Sequence, residues 1–361
     1  HDLALAVDRL GYAAEHFPPL SDYALFYLAL AERDRGDLLP AAATLERLGR
    51  NFSQSVIAAQ GEVALAEVYL RLTRAADSAA AATHALSIAS DSETEQGARM
   101  ALAHALAAQG RPREAYNELQ TLREKYPRGP HDLDARDTAY AILAANPAAA
   151  DANTIAYHRD EAALLLRERQ GALALREIRA ALALSPPPSI VAELAFMKAT
   201  ALRSDPERAE AAYRDYLRLA PNGPSAGAAL EALALIYWKR DDRARARATF
   251  TRLVEQFPGS HRAPNAMLRI GRICEEDKKL DAARAEYVRL AARYPSSEAA
   301  GDGRFRAPWM LYMMGRYPAA AREFAAKRVH AQRAGGWRDM FGYCHAQCYA
   351  VDPDLFPIDD S

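Results

Sequence analysis

The sequence predicts an all-α protein in which pairs of helices stack one after another into a solenoid. Composition is the first indication, because half of the 361 residues are hydrophobic while aromatic residues make up only 8% of the chain. Alanine supplies much of that hydrophobic half and is the strongest helix former. A pattern that recurs about every 37 residues is the second indication, since such a period is typical of helical repeat proteins.

The recurring pattern describes the second helix of each pair. An alanine is followed four residues later by a large apolar residue, and eight residues after that by proline or another turn residue. The alanine lets a neighbouring helix approach closely, the large residue lies on the same helix face, and proline ends the helix. The alanines that mark these helices are Ala41, Ala80 (the weakest copy), Ala115, Ala174, Ala209, Ala246, Ala283 and Ala320. Successive alanines are 39, 35, 59, 35, 37, 37 and 37 residues apart, and residues 128–156 supply the extra length.

A first helix is predicted about twelve residues before each alanine, with a small residue where the two helices cross. These small residues are Ala29, Ala103, Ala162, Ala234 and Gly271. The turns between helices contain Gly36, Gly110 and Gly315, and glycine suits the left-handed residue that ends a helix. The last pair departs from the pattern, because Pro308 occupies the place of the small residue. We therefore expect that helix to begin near Ala307 or to kink there.

The repeats also predict how the chain is organised. Residues 1–128 are predicted to form N-terminal helical repeats, and residues 157–350 C-terminal repeats of the same kind, ending in an unpaired first helix at about 336–349. The stretch 129–156 is either an insertion or an extra helix, since Pro130 and Pro147 bracket about four helical turns. Residues 351–361 are acidic and interrupted by proline, which indicates a tail or a linker.

The offsets within each pair resemble those of the tetratricopeptide repeat. The sequences ARATFTRLVEQFPGS and ARAEYVRLAARYPSS begin at residues 246 and 283 and repeat one another. The family's small residue, alanine, aromatic residue and closing proline fall on Gly271, Ala283, Tyr287 and Pro295. The resemblance implies a right-handed α-solenoid of tetratricopeptide-like helix pairs, each of which buries its apolar face against its neighbours.

Three longer stretches resemble a narrower group of proteins. SDYALFYLALAERDRGDLLPAAATLERL, ALAHALAAQGRPREAYNELQTLREKYPRGP and GRFRAPWMLYMMGRYPAAAREF are similar to the N-terminal superhelical region of soluble lytic murein transglycosylases, and GGWRDMFGYCHAQC to the helix that precedes their linker. The repeat FPGSHRAPNAMLRIGRI also resembles periplasmic repeat proteins of the Tol-Pal system and of outer-membrane assembly. The resemblance covers about 15–348 and implies a periplasmic or cell-envelope location. The chain begins with His1, which suggests a processed form, so a signal peptide is not observable.

The sequence contains no recognisable catalytic motif. The catalytic domain of the transglycosylases carries a Glu-Ser pair and a GLMQ-like stretch, and this chain has neither. We therefore expect no catalytic residue here, although a longer protein containing this chain would be a peptidoglycan lytic transglycosylase. Glycine-rich phosphate loops and HExxH pairs are also missing. Cys344, His345 and Cys348 form the one metal-like cluster, but a structural zinc site needs four ligands, so we predict no metal and no cofactor.

Charge argues against a nucleic-acid partner, and hydropathy argues against a transmembrane segment. The 46 basic and 47 acidic residues nearly cancel and form no dense basic run, which argues against nucleic acid. No apolar stretch is long enough for a transmembrane segment.

A binding role has better support, because first helices of such repeats line a groove. Carrying the family's groove positions across gives ten candidates: Glu231, Trp238, Lys239, Asn265, Arg272, Glu275, Glu276, Phe305, Trp309 and Tyr312. Two alternatives stay open: the three aromatic residues at 305, 309 and 312 have the spacing of a core stripe, and the Trp at 238 fits a partly buried place between repeats. The leading hypothesis is a non-catalytic superhelical scaffold of a lytic transglycosylase-like cell-wall protein that binds peptidoglycan glycan strands or an envelope partner. The alternative is a free-standing tetratricopeptide-repeat adaptor that mediates protein–protein interaction in the envelope.

Overall fold

The fold is entirely helical over the part of the chain that the computed structural model describes, residues 2–331, with side chains described as far as residue 326. These residues form eighteen α-helices and two short 3-10 helices, Pro18–Leu20 and Pro147–Ala149, and no strand. The predicted all-α architecture of consecutive helix pairs is therefore confirmed. Cys344, His345 and Cys348, the helix predicted at 336–349 and the tail at 351–361 lie outside the described residues.

The chain divides into two compact units, His1–Pro186 and Pro187–Ser361. The helices of the first unit are α1 (Asp2–His16), α2 (Ser21–Arg35), α3 (Leu38–Asn51), α4 (Ala58–Arg71), α5 (Ala75–Ile88), α6 (Ser92–Ala108), α7 (Pro112–Lys125), α8 (Asp132–Ala145), α9 (Ile155–Arg167) and α10 (Gly171–Ala183). Of these, α2–α3, α4–α5, α6–α7 and α9–α10 are helix pairs. The stretch 129–156, left open as an insertion or an extra helix, contains α8 and the second 3-10 helix.

The second unit contains four more helix pairs. Its helices are α11 (Pro188–Ala201), α12 (Pro206–Leu219), α13 (Ala226–Lys239), α14 (Arg243–Gln256), α15 (Ala263–Glu276), α16 (Leu280–Arg293), α17 (Glu298–Met313) and α18 (Tyr317–Ala331). Odd-numbered helices are first helices here and even-numbered helices are second helices. Each second helix packs against the first helix of its own pair.

The repeated alanine is fully buried in seven of the eight second helices. The exception is the weak copy at Ala80, which is exposed on α5. Ser78 takes its place: the serine is fully buried and its Oγ donates a hydrogen bond to the carbonyl of Ala66 on α4, at 2.7 Å. Serine fits because it is nearly as small as alanine and its hydroxyl finds a partner. With Ser78 in position, the spacings from Ala41 and to Ala115 both become 37 residues, so the repeat is more regular than the sequence indicated.

The small residue of each first helix allows close contact with the second helix. Ala29, Ala103, Ala162 and Ala234 are fully buried there. At Gly271 the contact is closer still, because an added Cβ would lie 2.4 Å from Cε1 of Tyr287.

The first helix of the last pair runs through its proline. Helix α17 begins at Glu298, where Ser297 Oγ accepts a hydrogen bond from the backbone N–H of Ala300 at 3.2 Å. The expectation that this helix begins near Ala307 is therefore wrong, because the serine cap starts it nine residues earlier. Pro308 lies buried inside the helix.

Left-handed residues end several helices, as the glycines predicted. Gly36, Gly110 and Gly315 have φ of 97°, 72° and 73°. Asp241 and Lys278 adopt similar conformations in the corresponding turns after α13 and α15. The turns of different pairs therefore share one geometry, although not all of them contain glycine. In the turns after α13 and α15, Asp241 and Lys278 adopt a conformation that glycine adopts more readily.

A buried ionic cluster connects α7, α8 and α9. Arg123 on α7 is fully buried; its Nη2 donates to Oε1 of Glu161 and its Nε to Oε1 of Glu168, both at 2.8 Å. Tyr140 on α8 donates its hydroxyl to the same oxygen of Glu161, at 2.7 Å. Burial raises the pKa of the Glu168 carboxyl, although the hydrogen bond from Arg123 opposes the shift. Two acidic groups thus share one cation in the core of the first unit.

Candidate binding surfaces

Two first helices of the second unit, α13 and α15, are joined through their exposed edges. Trp238 on α13 donates its indole N–H to Oε2 of Glu276 on α15, at 2.9 Å. Its half-buried ring meets the ring of Phe250 edge-on, with centroids 6.4 Å apart. Two turns earlier on α13, Glu231 accepts a 2.5 Å hydrogen bond from Nη1 of Arg262, the residue before α15. Trp238 therefore both packs between helices and stays accessible.

The next first helix, α17, is joined to α15 through Glu275. That carboxylate accepts hydrogen bonds from the hydroxyl of Tyr287 at 2.7 Å and from Nη1 of Arg306 on α17 at 3.0 Å. Burial and the bond to Glu275 raise the pKa of the Tyr287 hydroxyl. Arg272, one turn earlier on α15, is half-buried, and its Nε is buried without a hydrogen-bond partner among the described residues.

Three candidate aromatic residues form a row along α17. The rings of Phe305 and Trp309 are nearly parallel, with centroids 6.4 Å apart, and those of Trp309 and Tyr312 stack at 5.0 Å. All three are half-buried and pack against the core that α17 forms with α18, around Leu311 and Phe324. They thus contribute to the core and keep one side open.

The remaining candidates, Lys239 at the end of α13 and Asn265 at the start of α15, are exposed. We call the surface formed by these ten candidate residues the α13–α17 face. The structure brings Trp238 together with Glu276, links Glu275 to α17, and stacks the three aromatic residues, while the lysine and the asparagine stand apart.

A cleft of about 750 Å³ lies beside the Glu231–Arg262 pair. Its walls are the loop before α13, the loop before α15 and the ring of Phe196 on α11. The two loops are corresponding turns of successive repeats, and the cleft is open to solvent at one end of the α13–α17 face.

The described residues offer neither a metal site nor a membrane-spanning helix. No group of three His, Cys, Asp or Glu side chains within residues 2–331 is placed to hold a metal ion. Cys274 is buried in α15, and burial raises the pKa of its thiol. Within the same range, no helix is both long and apolar enough to cross a bilayer.

Sequence reasoning missed a second surface, in the first unit. Tyr12, Phe17, Leu20, Tyr23 and Tyr27 are all exposed on α1, α2 and the 3-10 helix between them. We call these five residues the N-terminal stripe. The sequence signal for this surface is DYALFYLA, because apolar residues occupy every side of α2 from Tyr23 to Ala31.

Comparisons with known proteins match parts of the chain to one repeat family. Two family models described as tetratricopeptide repeat match the chain, one at residues 197–261 and 231–298 and another at residues 23–55. The matched segments lie in both units and cover less than half of the chain.

Several solved structures are also similar to this chain. A tetratricopeptide repeat protein from Parabacteroides merdae is 15% identical, with 78% of this chain and 97% of that chain covered and a TM-score of 0.32. A structure described as the functional characterization of Pseudomonas aeruginosa pilF is 17% identical, covering 68% of this chain and 95% of that one, with a TM-score of 0.35. The apo form of RapI is 8% identical, covering 99% and 100%, with a TM-score of 0.40.

Proposed function

We propose that this chain of tetratricopeptide repeats is a scaffold that binds a protein partner through the α13–α17 face. The observation that carries the proposal is the set of side-chain contacts between three consecutive first helices, Trp238 with Glu276 and Glu275 with Arg306. These contacts hold side chains of separate repeats in fixed relative positions. A surface organised in this way loses little conformational entropy when a partner binds.

The composition of the face favours a partner of mixed charge that places an apolar residue against Trp238. Lys239 and Arg272 supply positive charge, while Glu231 and Glu276 supply negative charge close by, so the face has no dominant sign. Such a pattern fixes the register of a partner more than it attracts one at long range. Trp and Arg are the residue types that most often dominate binding energy at interfaces.

Site-specific photo-crosslinking tests the proposal. A photoreactive amino acid replaces Asn265, which is exposed on α15, and the full chain is irradiated in an extract of its source organism. The matched control carries the same group at Arg289, which is exposed on the second helix α16. We expect a discrete protein adduct at position 265 that Trp238→Ala reduces at least ~10-fold, and none at 289. Equal labelling at both positions, or labelling that ignores the tryptophan, would contradict the proposal.

A second candidate is a cell-wall function in the periplasm, as the superhelical part of a lytic transglycosylase-like protein that binds peptidoglycan strands. It is supported by the sequence resemblance, and by the aromatic row of Phe305, Trp309 and Tyr312, which offers ring surface at the end of the α13–α17 face.

Co-sedimentation with purified sacculi tests this second candidate, with released muropeptides measured in the same sample. We expect sedimentation that Trp309→Ala weakens, and fractionation of cells expressing the full-length gene should place the protein in the envelope. A chain that stays in the supernatant would contradict the cell-wall candidate while leaving the crosslinking result intact.

A further inference from the structure

The N-terminal stripe consists of five exposed side chains on neighbouring elements. Tyr12 and Tyr27, at its two ends, are 57% and 53% exposed. The ring of Tyr12 stacks on His16 at 3.9 Å and meets Phe17 edge-on at 6.3 Å. The backbone N–H of Leu20 donates to the carbonyl of Phe17, which places these two side chains on successive turns. Tyr23 and Tyr27 continue the row at helical spacing along α2.

The stripe is large for a surface that only contacts water. An aromatic side chain presents about 150–250 Å² when fully exposed. Four such side chains at roughly half exposure therefore present about 400 Å², comparable with the largest apolar patches of monomeric proteins, which are often functional.

Helix α2 has an apolar side that no other described residue covers. Its inner positions, including Leu25, Leu28 and Ala29, are buried by the rest of the first unit. The opposite side carries Tyr23 and Tyr27 in the first half of the helix and the charged residue Asp34 only in its last turn. Residues 23–31 of α2 are thus apolar on all sides, and such a helical segment is normally covered on all sides.

The segment that carries the stripe is acidic. Residues 2–27 contain Asp2, Asp8, Glu15 and Asp22 against a single Arg9, a net charge of -3 with His16 neutral, whereas the whole chain has a net charge of -1. Asp22 is held next to Tyr23, because it accepts hydrogen bonds from the backbone N–H of that tyrosine and from the hydroxyl of Ser55. A partner that covers the apolar row therefore meets carboxylates beside it.

We propose that the N-terminal stripe binds an amphipathic α-helix of a partner protein, with apolar residues on one face and Lys or Arg on its flanks. Leu20, Tyr23 and Tyr27 form a ridge at positions i, i+3 and i+7, and such a ridge packs into the groove of a second helix. Basic flanks complete the contact by pairing with the acidic residues. This site lies in the first unit and goes beyond the function proposed for the α13–α17 face.

Two designed peptides of about 18 residues test the proposal at an ionic strength near 0.15 M, where long-range attraction is screened. Both carry leucine at i, i+3, i+4 and i+7; one has lysine and the other glutamate at the remaining positions. Fluorescence anisotropy measures their binding to the full chain. We expect the lysine peptide to bind at least ~10-fold more tightly than the glutamate peptide, because only its flanks complement the carboxylates.

The double variant Tyr23→Ser/Tyr27→Ser removes the ridge without touching the core. It should weaken binding of the lysine peptide at least ~10-fold, since aromatic anchors dominate such contacts. The matched control Leu219→Ser/Val288→Ser removes exposed apolar residues from the second unit and should leave binding unchanged. Circular dichroism checks that both variants keep the wild-type helix content.

Several results would overturn the proposal. If the double variant bound the lysine peptide as tightly as the wild type does, the stripe would not be the binding site. If the glutamate peptide bound the wild type as tightly as the lysine peptide does, the acidic residues would not contribute to binding. Equally tight binding of a proline-rich, extended peptide of the same charge would replace the helix by another occupant. A dimer that the double variant abolishes in sedimentation would assign the stripe to a second copy of this chain. None of these results affects the crosslink expected at Asn265.

Discussion

Replacing Gly271 by alanine tests how closely the two helices of one pair approach. An added Cβ would lie 2.4, 2.8 and 2.9 Å from Cε1, Cδ1 and Cζ of Tyr287. Favourable contacts between carbon atoms are about 3.5–4.0 Å long, so the ring or the helix must move by roughly 1 Å. The ring has little freedom to move, because Tyr287 is fully buried and its hydroxyl is bonded to Glu275.

Two opposing effects set the size of the change. Gly→Ala inside a helix gains about 1 kcal/mol in helix propensity. Overpacking of a filled core costs about 1–3 kcal/mol. We therefore expect Gly271→Ala to lower the free energy of unfolding by about 1 kcal/mol. Gly227→Ala on α13 is the matched control: its Cβ would lie 3.8 Å from Phe257, an ordinary contact, so this variant should be as stable as the wild type or more stable.

Urea unfolding followed by circular dichroism at 222 nm measures both variants. The double variant Gly271→Ala/Tyr287→Leu recreates the alanine–leucine combination found at Ala29 and Leu45 in the first unit. Because leucine frees the space that the alanine needs, the effects of the two substitutions should not add. A Gly271→Ala protein as stable as Gly227→Ala, or strict additivity in the double variant, would refute the close approach described here.

Three further predictions concern ionisable groups of the first unit. Hydrogen bonds, first from Lys125, lower the pKa of Glu95 to about 2, so its stabilisation is present above the unfolded pKa of 4.5 and is lost as the pH falls towards 2. Glu95→Gln should therefore lower the free energy of unfolding by about 1 kcal/mol near neutral pH, where exposure of Lys125 limits the effect, and by almost nothing near pH 2. A difference between variant and wild type that does not shrink in acid would contradict this prediction. Arg123→Met leaves two buried carboxylates without their cation and should cost about 3–5 kcal/mol in thermal unfolding, whereas Arg113→Met on the exposed side of α7 should be nearly neutral; similar costs would count against the buried cluster. Burial, followed by the hydrogen bond that Tyr69 donates to the carboxylate of Glu46 on α3, raises the pKa of Tyr69 to about 12. The free energy of unfolding should therefore fall as the pH rises from 10 to 12. This fall should be weaker in a Tyr69→Phe protein, and an unchanged pH profile would contradict the assignment.

The positions of the second helices could be predicted from the sequence because their signal is steric. An alanine, an aromatic residue four positions later and a closing proline each have one physical consequence, and in Ala246, Phe250 and Pro258 all three are present. The same reasoning failed by two residues on α5, where several neighbouring alanines made the register ambiguous. Ser78 was overlooked because its burial depends on a carbonyl of α4, which the local pattern does not reveal.

The candidate site was less predictable, since its contacts connect residues far apart in the chain. The partner of Trp238 is Glu276, 38 residues later. Family offsets placed both residues on first helices, but only the relative position of α13 and α15 in the fold brings the two side chains together. The exposure of Tyr23 and Tyr27 depends in the same way on which neighbours are present, and an apolar helix looks the same in sequence whether or not it is covered.

The ionic cluster around Arg123 has a consequence for how this chain can change in evolution. A regular 37-residue module contacts mainly the modules on either side, so one can be duplicated or deleted while its neighbours keep their interfaces. Arg123 cannot be exchanged in this way, because its acidic partners lie 38 and 45 residues further along the chain, beyond the intervening helix α8. Loss of the arginine, or of its two acidic partners, would leave the remaining charge buried without a partner. The stretch from α7 to α9 is therefore expected to be inherited as one indivisible segment, within a chain whose other repeats are free to vary in number.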